Sequence, residues 1–137
     1  MSNSEQQFDF ILYGATSFVG QIMAEYLAGY TSEEYTWAMA GRSERKLQEL
    51  KQRLNLNEVP CFVADATDET ALKALCEKTK AVVSTVGPYA LFGETLVKVC
   101  AQSGTDYCDL TGEPQWIKQM LGKYEADAKS SGARIVH

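Results

Sequence analysis

The sequence predicts a three-layer α/β fold in which helices cover both faces of a doubly wound parallel sheet. Short apolar runs of strand character alternate along the chain with longer segments whose apolar residues recur at helical spacing. The connections between these segments are short, so each helix crosses back over the sheet. The chain has 137 residues, of which 45% are hydrophobic and 23% charged, a composition typical of one globular domain.

Six strands are predicted from short β-branched or aromatic runs that end at turn residues. The first, FDFILY at 8–13, stops at Gly14 and has the continuous apolar character of a buried parallel strand. The other strands are predicted at 35–40, 60–64, 81–86, 106–110 and 133–137. Right-handed crossovers then give the Rossmann-type strand order 3-2-1-4-5-6.

Five helices are predicted between these strands, because apolar residues there fall on one side of a helix. The first starts at Phe18, and the second follows Gly41 with Ser43 as its N-cap. The others cover 68–78, 92–103 and 114–131, and the last two end at Gly104 and Gly132. The residues expected to face the core are Phe18, Val19, Ile22, Met23, Tyr26, Leu27, Leu47, Leu50, Leu54, Ala71, Leu72, Leu75, Cys76, Trp116, Ile117, Met120, Leu121 and Tyr124.

Composition excludes several functional classes. A net charge of −5 gives no general attraction to nucleic acid or to an anionic membrane. No apolar run reaches the roughly 18–20 residues of a transmembrane helix, and the first ten residues do not resemble a secretory signal. The four cysteines form no C-x-x-C pair and the single His is the last residue, which argues against a metal site and for reduced core thiols. We therefore expect a cytoplasmic protein with a small-molecule substrate.

The first strand and first helix are joined by a glycine motif, Gly14-Ala15-Thr16-Ser17-Phe18-Val19-Gly20. A dinucleotide site has this context: one glycine makes a tight turn, another allows close helix–strand packing, and the helix N-terminal amides face the pyrophosphate. The alternative is a tight turn that binds no ligand.

The end of the second predicted strand indicates which dinucleotide is bound. NAD-specific sites usually carry an acidic residue there for the ribose hydroxyls, whereas this chain has Ala40-Gly41-Arg42-Ser43. Arg42 can bond a 2′-phosphate and stack on adenine, Ser43 adds a donor, and Lys46 adds a second positive charge. We therefore predict NADP rather than NAD, although Arg42 at a helix start can also be simply solvated.

Further candidates follow the third, fourth and fifth strands at the same sheet edge. Asp65, followed by Ala66, can accept a bond from the adenine amine or can be a loop acid before an Asp68 N-cap. The segment Thr85-Val86-Gly87-Pro88-Tyr89 is expected beside the nicotinamide, where Tyr89 either points at substrate or packs. Asp109 and Glu113 are the weak candidates for proton transfer, and their alternative role is helix capping and loop structure.

Four segments in this order, FILYGATSFVG, AGRS, STVGPYALFGE and YCDLTGE, resemble the saccharopine dehydrogenase-like oxidoreductases. The resemblance covers about residues 8–137, which correspond to the NADP-binding domain of that family. It implies that residues 14–20 lie at the pyrophosphate, Arg42 and Ser43 at the 2′-phosphate, Asp65 at adenine and 85–89 at the nicotinamide. It also implies hydride transfer between NADP(H) and an amino-acid, imine or enoyl substrate. Ser17 departs from the pattern, because it replaces the usual middle glycine.

The organisation expected from the sequence is one NADP-binding domain over 1–137. Because the chain stops within a predicted strand, we expect a fragment whose C-terminal substrate domain lies beyond His137, with an open sheet edge that can pair with another chain. Two other functions stay open, a non-catalytic NADP-binding regulator and a relative of the short-chain dehydrogenases. None of the seven tyrosines has the Lys four residues later that the last group uses.

Overall fold

A six-stranded parallel sheet forms the centre of the computed structural model, which describes residues 6–30 and 35–137. The strand order is β3-β2-β1-β4-β5-β6, which confirms the predicted Rossmann-type topology. The strands are β1 (Phe8–Tyr13), β2 (Trp37–Gly41), β3 (Cys61–Val63), β4 (Thr79–Ser84), β5 (Asp106–Asp109) and β6 (Ile135–Val136). Tyr13 is in register with Ala40 of β2 and Ser84 of β4, so the carboxyl ends of these strands meet at one edge.

Helices cover both faces of the sheet. They are α1 (Phe18–Gly29), α2 (Glu44–Arg53), α3 (Glu69–Cys76), α4 (Tyr89–Phe92), α5 (Glu94–Ser103) and α6 (Pro114–Ser131). Leu12 faces a core formed with α1 and α2, whereas its neighbour Ile11 faces a second core formed with α3, α5 and α6. In a three-layer fold, adjacent residues of a central strand are both buried, on opposite faces of the sheet. Within the described residues, no helix has the length and apolar character needed to cross a membrane.

Several predicted helix ends are confirmed by their hydrogen bonds. The Ser43 hydroxyl accepts from the Lys46 amide at 3.3 Å, and the Asp68 carboxylate accepts from the Ala71 amide at 3.1 Å. Gly104 has a φ of 74°, the left-handed conformation that glycine adopts at helix C-termini. Local sequence therefore fixes these ends.

Two strands are shifted from their predicted positions. The second starts at Trp37 rather than at residue 35, because the Thr36 amide donates to the Asp9 carboxylate. The fourth covers 79–84 rather than 81–86. It starts earlier because Thr79, although polar, is fully buried and its hydroxyl donates to the Phe8 carbonyl at 3.1 Å. The first strand has its predicted bounds, and the ends of β3, β5 and β6 lie within two residues of the predicted ones.

The helix predicted at 92–103 starts at Glu94 as α5, and a short helix that was not predicted, α4, precedes it and has Gly93 as its C-cap. An added Cβ on Gly93 would lie 2.6 Å from the Trp116 ring, so the chain turns where that indole packs. The contact joins residues far apart in sequence, which is why helical periodicity did not predict it.

The inward face predicted for α1 is wrong in part. Phe18, Ile22 and Tyr26 are 81%, 53% and 69% exposed, and the fully buried residues of this helix are Gly20 and Ala24. Small residues face the sheet because α1 packs very close to it, while Met23 and Leu27 contact the core only in part. Leu121 of α6, also predicted inward, is 56% exposed.

Of the four cysteines, only Cys76 and Cys100 lie in the core, with their sulfur atoms 3.6 Å apart; Cys61 and Cys108 are half-buried. All four are free thiols, and burial raises the pKa of the Cys100 thiol. A buried thiol of raised pKa is a poor nucleophile, so Cys100 acts as an apolar packing group, and Cys76 is buried in the same core beside it.

Candidate cofactor-binding site

The carboxyl ends of β1 to β4 border a cavity of about 330 Å³, which lies within the roughly 300–1,000 Å³ of small-molecule sites. It lies beside the point where the strand order reverses between β1 and β4, the position at which doubly wound sheets bind ligands. Most of the predicted cofactor residues line it: Gly14, Thr16, Ser17, Arg42, Ser43, Lys46, Asp65, Ala66, Thr85, Val86 and Gly87. Ala15, Phe18, Val19, Gly20, Pro88 and Tyr89 lie outside this lining.

Two walls of the cavity approach each other too closely for side chains at the glycines. These walls are the glycine loop (residues 14–20) and the β4 loop (residues 85–88). Gly14 has a φ of 86°, and an added Cβ would lie 2.6 Å from Val86 Cγ2 and 2.7 Å from Thr85 Oγ1. An added Cβ on Gly20 would collide with the Gly14 carbonyl oxygen. Glycine is therefore required at Gly14 by contact as well as by conformation, and at Gly20 by contact.

The N-terminus of α1 is open to an anion. The Ser17 hydroxyl accepts from the Gly20 amide at 3.0 Å, while the amides of Phe18 and Val19 precede the first possible helical bond. The first turn of α1 holds no acidic side chain, whereas α2, α3 and α5 each start with a glutamate. The positive end of the α1 dipole is therefore not neutralised, which suits a phosphate.

Two cations flank the cavity at the end of β2. Arg42 and Lys46 are both exposed, and among the described residues no carboxylate forms an ion pair with either. Their neighbour Arg45 differs, because its guanidinium bonds Glu49 at 2.6 Å. Arg42 and Lys46 are therefore free to bind an anionic group at this rim.

The β3 side of the cavity holds one carboxylate. Asp65 Oδ1 accepts from the Thr67 amide at 2.9 Å and from the Thr67 hydroxyl at 2.7 Å, and these bonds lower the pKa of Asp65. The positive charge of Arg42 lowers the same pKa further. Asp65 is thus an ionised acceptor at neutral pH, with Oδ2 outside these bonds.

Four residues of the lining were not predicted: Tyr13, Gly41, Thr67 and Phe92. The Tyr13 hydroxyl donates to the Ala64 carbonyl at 2.9 Å, which ties β1 to the end of β3. Its place as the last residue of the first predicted strand was a usable signal, because the carboxyl end of that strand borders the site. Phe92 gave no such signal, because the sequence predicted it as the start of the 92–103 helix, whereas it is the last residue of α4.

Tyr89 belongs to the core. Its side chain is 4% exposed, its hydroxyl donates to the Ser84 carbonyl at 3.0 Å, and its ring lies 5.3 Å from that of Trp116. Burial raises the pKa of its phenol. The geometry corresponds to the packing alternative for this residue.

The two predicted acids have separate structural partners. Glu113 accepts from the Tyr89 amide at 2.8 Å and the Ala90 amide at 3.0 Å, and so caps α4 rather than the helix that follows it. Asp109 has a fully buried side chain that accepts from the Tyr107 hydroxyl at 2.6 Å and lies 3.0 Å from His137 Nδ1. Neither carboxylate lines the cavity.

The fold and the cavity together define a dinucleotide-binding domain. The family model of the saccharopine dehydrogenase NADP binding domain matches residues 10–136, and the chain belongs to this family. The match confirms the predicted family and the predicted cofactor, NADP.

Curated relatives share this sequence closely. Proteins named trans-acting enoyl reductase are 41% identical in Mycobacterium bovis (strain BCG / Pasteur 1173P2) and 40% identical in Mycobacterium leprae (strain TN), each over 138 residues. The match covers 99% of this chain and 33% of each relative, so the chain spans about a third of their length.

Solved structures share the fold at lower identity. Apo saccharopine dehydrogenase (L-Glu forming) from Saccharomyces cerevisiae has a TM-score of 0.73 at 21% identity, covering 93% of this chain and 26% of that one. The leucoanthocyanidin reductase–NADPH complex from Vitis vinifera has a TM-score of 0.64 at 17% identity, covering 93% and 47%. Both support the Rossmann-type architecture.

Proposed function

We propose that this chain is the cofactor-holding part of an NADP-dependent oxidoreductase that transfers hydride to an enoyl substrate. The observation that carries the proposal is the cavity: Ser17, the N-cap of α1, lines it, and so do Arg42 and Lys46, which form no ion pair within the described residues. The name of the mycobacterial relatives favours an enoyl substrate over an amino acid or imine.

The residues present fit NADP. The amides of Phe18 and Val19 would donate to the pyrophosphate, and the positive end of the α1 dipole would attract its negative charge. Arg42, with Lys46 beside it, would bond the 2′-phosphate. Asp65 would accept from the adenine amine.

The β4 loop would form the wall beside the nicotinamide. Thr85, Val86 and Gly87 line the cavity next to the glycine loop, and Pro88 follows them. Bound NADPH supplies the hydride, and the protein supplies orientation and electrostatics.

We infer that the substrate pocket and the proton donor lie outside this chain. Reduction of a carbon–carbon double bond needs a proton as well as a hydride, but Tyr89, Asp109 and Glu113 all use their polar atoms in structural bonds. The curated relatives are about three times as long as this chain, which leaves room for a substrate domain. Residues 1–137 alone should therefore bind NADPH without oxidising it.

Calorimetric titration with NADP⁺ and NAD⁺ tests the cofactor site. Arg42→Ala should weaken NADP⁺ binding by about 1.5–3 kcal/mol, or about 10- to 160-fold, because a bond to a charged group is lost. NAD⁺ affinity should stay constant. Arg45→Ala is the matched control, since Arg45 lies three residues further on, in the first turn of α2, but bonds Glu49. Equal weakening by both variants would contradict the role of Arg42.

Absorbance at 340 nm tests the reaction in the full-length protein. We expect NADPH oxidation with an α,β-unsaturated thioester and none with an imine. Saccharopine is already a reduced amine, so it is tested with NADP⁺ instead, and we expect no rise in absorbance. NADPH oxidation with the imine alone would replace the enoyl substrate by an imine. NADPH binding without oxidation by any substrate would favour a non-catalytic regulator.

A further inference from the structure

Two side-chain hydroxyls join the walls of the cavity. Ser17 Oγ in the glycine loop lies 3.1 Å from Thr85 Oγ1 in the β4 loop, although the residues are 68 apart in sequence. Thr85 is 6% exposed, and both residues line the cavity. The two loops are therefore bonded to each other at the site where a dinucleotide would lie.

The direction of this bond follows from the supply of protons. Each hydroxyl has one proton, and Thr85 Oγ1 lies 2.8 Å from the Gly14 carbonyl, which can only accept. Thr85 therefore donates to Gly14, and Ser17 donates to Thr85. The Ser17 oxygen in turn accepts from the Gly20 amide at 3.0 Å.

The result is a chain of hydrogen bonds, here called the circuit, that runs from the Gly20 amide through the Ser17 and Thr85 hydroxyls to the Gly14 carbonyl. Gly14 and Gly20 are the two ends of the glycine loop. Hydrogen bonds in such a chain polarise one another and fix the groups they connect. Because the circuit uses the Gly20 amide, it leaves the amides of Phe18 and Val19 as the donors of the first turn of α1.

We propose that Ser17 and Thr85 are positioning residues for the pyrophosphate, which hold the glycine loop in its binding conformation before the cofactor arrives. This inference rests on the proposed function, because it assumes a dinucleotide in the cavity. A glycine at position 17, the residue of the usual motif, has no hydroxyl and cannot make the circuit.

Helix capping by Ser17 alone is the competing explanation, and Thr85→Val separates the two. This variant removes the Thr85 hydroxyl and leaves the Ser17 cap intact. The Gly14 carbonyl keeps its bond from the Ser17 amide at 3.0 Å, so no buried acceptor is stranded. Ser17→Gly is the second variant, because glycine replaces a serine cap at a cost of only a few tenths of a kcal/mol.

Calorimetry with NADP⁺ and NAD⁺ gives the first readout. Thr85→Val and Ser17→Gly should each weaken both cofactors by the same factor, about three- to tenfold, since both contain the pyrophosphate. Thr85→Ser should bind within about twofold of wild type, and the Ser17→Gly/Thr85→Val double variant should lose no more than the worse single variant. Wild-type affinity in Thr85→Val, or additive losses in the double variant, would overturn the proposal.

Hydrogen exchange in the cofactor-free protein gives the second readout. The Gly20 amide should exchange faster in Thr85→Val than in wild type or Thr85→Ser, because its acceptor Ser17 is no longer held. Unchanged exchange would contradict the circuit. Failure of the proposed function is recognisable separately, since wild type itself would then bind neither cofactor.

Discussion

Gly20→Ala tests the packing that brings α1 against the glycine loop. The added Cβ would collide with the Gly14 carbonyl oxygen and lie 2.9 Å from Ala15 Cα and from the Ala15 carbonyl carbon. All of these are backbone atoms of the loop itself, so no side chain can rotate away to relieve the contact. The helix or the loop has to shift as a body.

The magnitude follows from the cost of overpacking, which is about 1–3 kcal/mol where neighbours can adjust. The contacts here are with three backbone atoms, so we expect Gly20→Ala to lower the free energy of unfolding by an amount at or above the upper end of this range, about 3 kcal/mol. Both NADP⁺ and NAD⁺ should also bind more weakly, because the displaced loop carries the first-turn amides of α1.

Urea unfolding followed by far-UV circular dichroism measures the effect. Gly122→Ala is the matched control, since a Cβ at this position of α6 has no heavy atom within 4 Å. It should raise the free energy of unfolding by about 0.5–1 kcal/mol, the preference of a helix interior for alanine over glycine. A Gly20→Ala variant as stable as wild type would refute the close packing of α1 on the glycine loop.

Further predictions concern stability and the two acids. The Tyr124 hydroxyl donates to Glu94 Oε2 at 2.6 Å, and this bond and Lys123 lower the pKa of Glu94. The ionised Glu94 therefore stabilises the folded state above the ordinary glutamate pKa, and this contribution is lost as pH falls through the lowered pKa. Tyr124→Phe should therefore lower the urea midpoint at pH 7 and have a smaller effect near pH 3; a deficit independent of pH would contradict this coupling. Glu113→Gln should destabilise the protein by about 1 kcal/mol through the loss of one of two charged caps, and should leave the NADP⁺ dissociation constant unchanged. A large loss of NADP⁺ affinity in thermally stable Glu113→Gln would instead assign this residue to the site.

Local sequence predicted the topology because each of its signals acts over a few residues. These signals are the apolar runs of the strands, the helix caps of Ser43 and Asp68, and the left-handed conformation of Gly104. Each depends on residues that are close together in the sequence. The features that were wrong depend on distant partners. Thr79 joins β4 because a carbonyl of β1 accepts its proton, and α4 is capped by a glutamate more than twenty residues later.

The sequence predicted which loops border the cavity, but it did not predict which of their side chains face it. Parallel strands end at one edge, so residues after β1, β2, β3 and β4 converge whatever their side chains. Whether a side chain then faces the cavity or the core depends on packing. Tyr13 and Tyr89 are both buried tyrosines whose hydroxyls donate to backbone carbonyls, yet Tyr13 lines the cavity and Tyr89 packs beside the Trp116 ring.

A cofactor titration followed by amide chemical shifts tests the central claim most directly. Backbone ¹H–¹⁵N spectra of this chain would be recorded with increasing NADP⁺ and, separately, NAD⁺. We predict that both cofactors shift the amides of Phe18 and Val19, and that NADP⁺ alone adds large shifts at 42–46. Shifts centred instead on residues of α6 and β6, or identical shifts with the two cofactors at 42–46, would contradict the account.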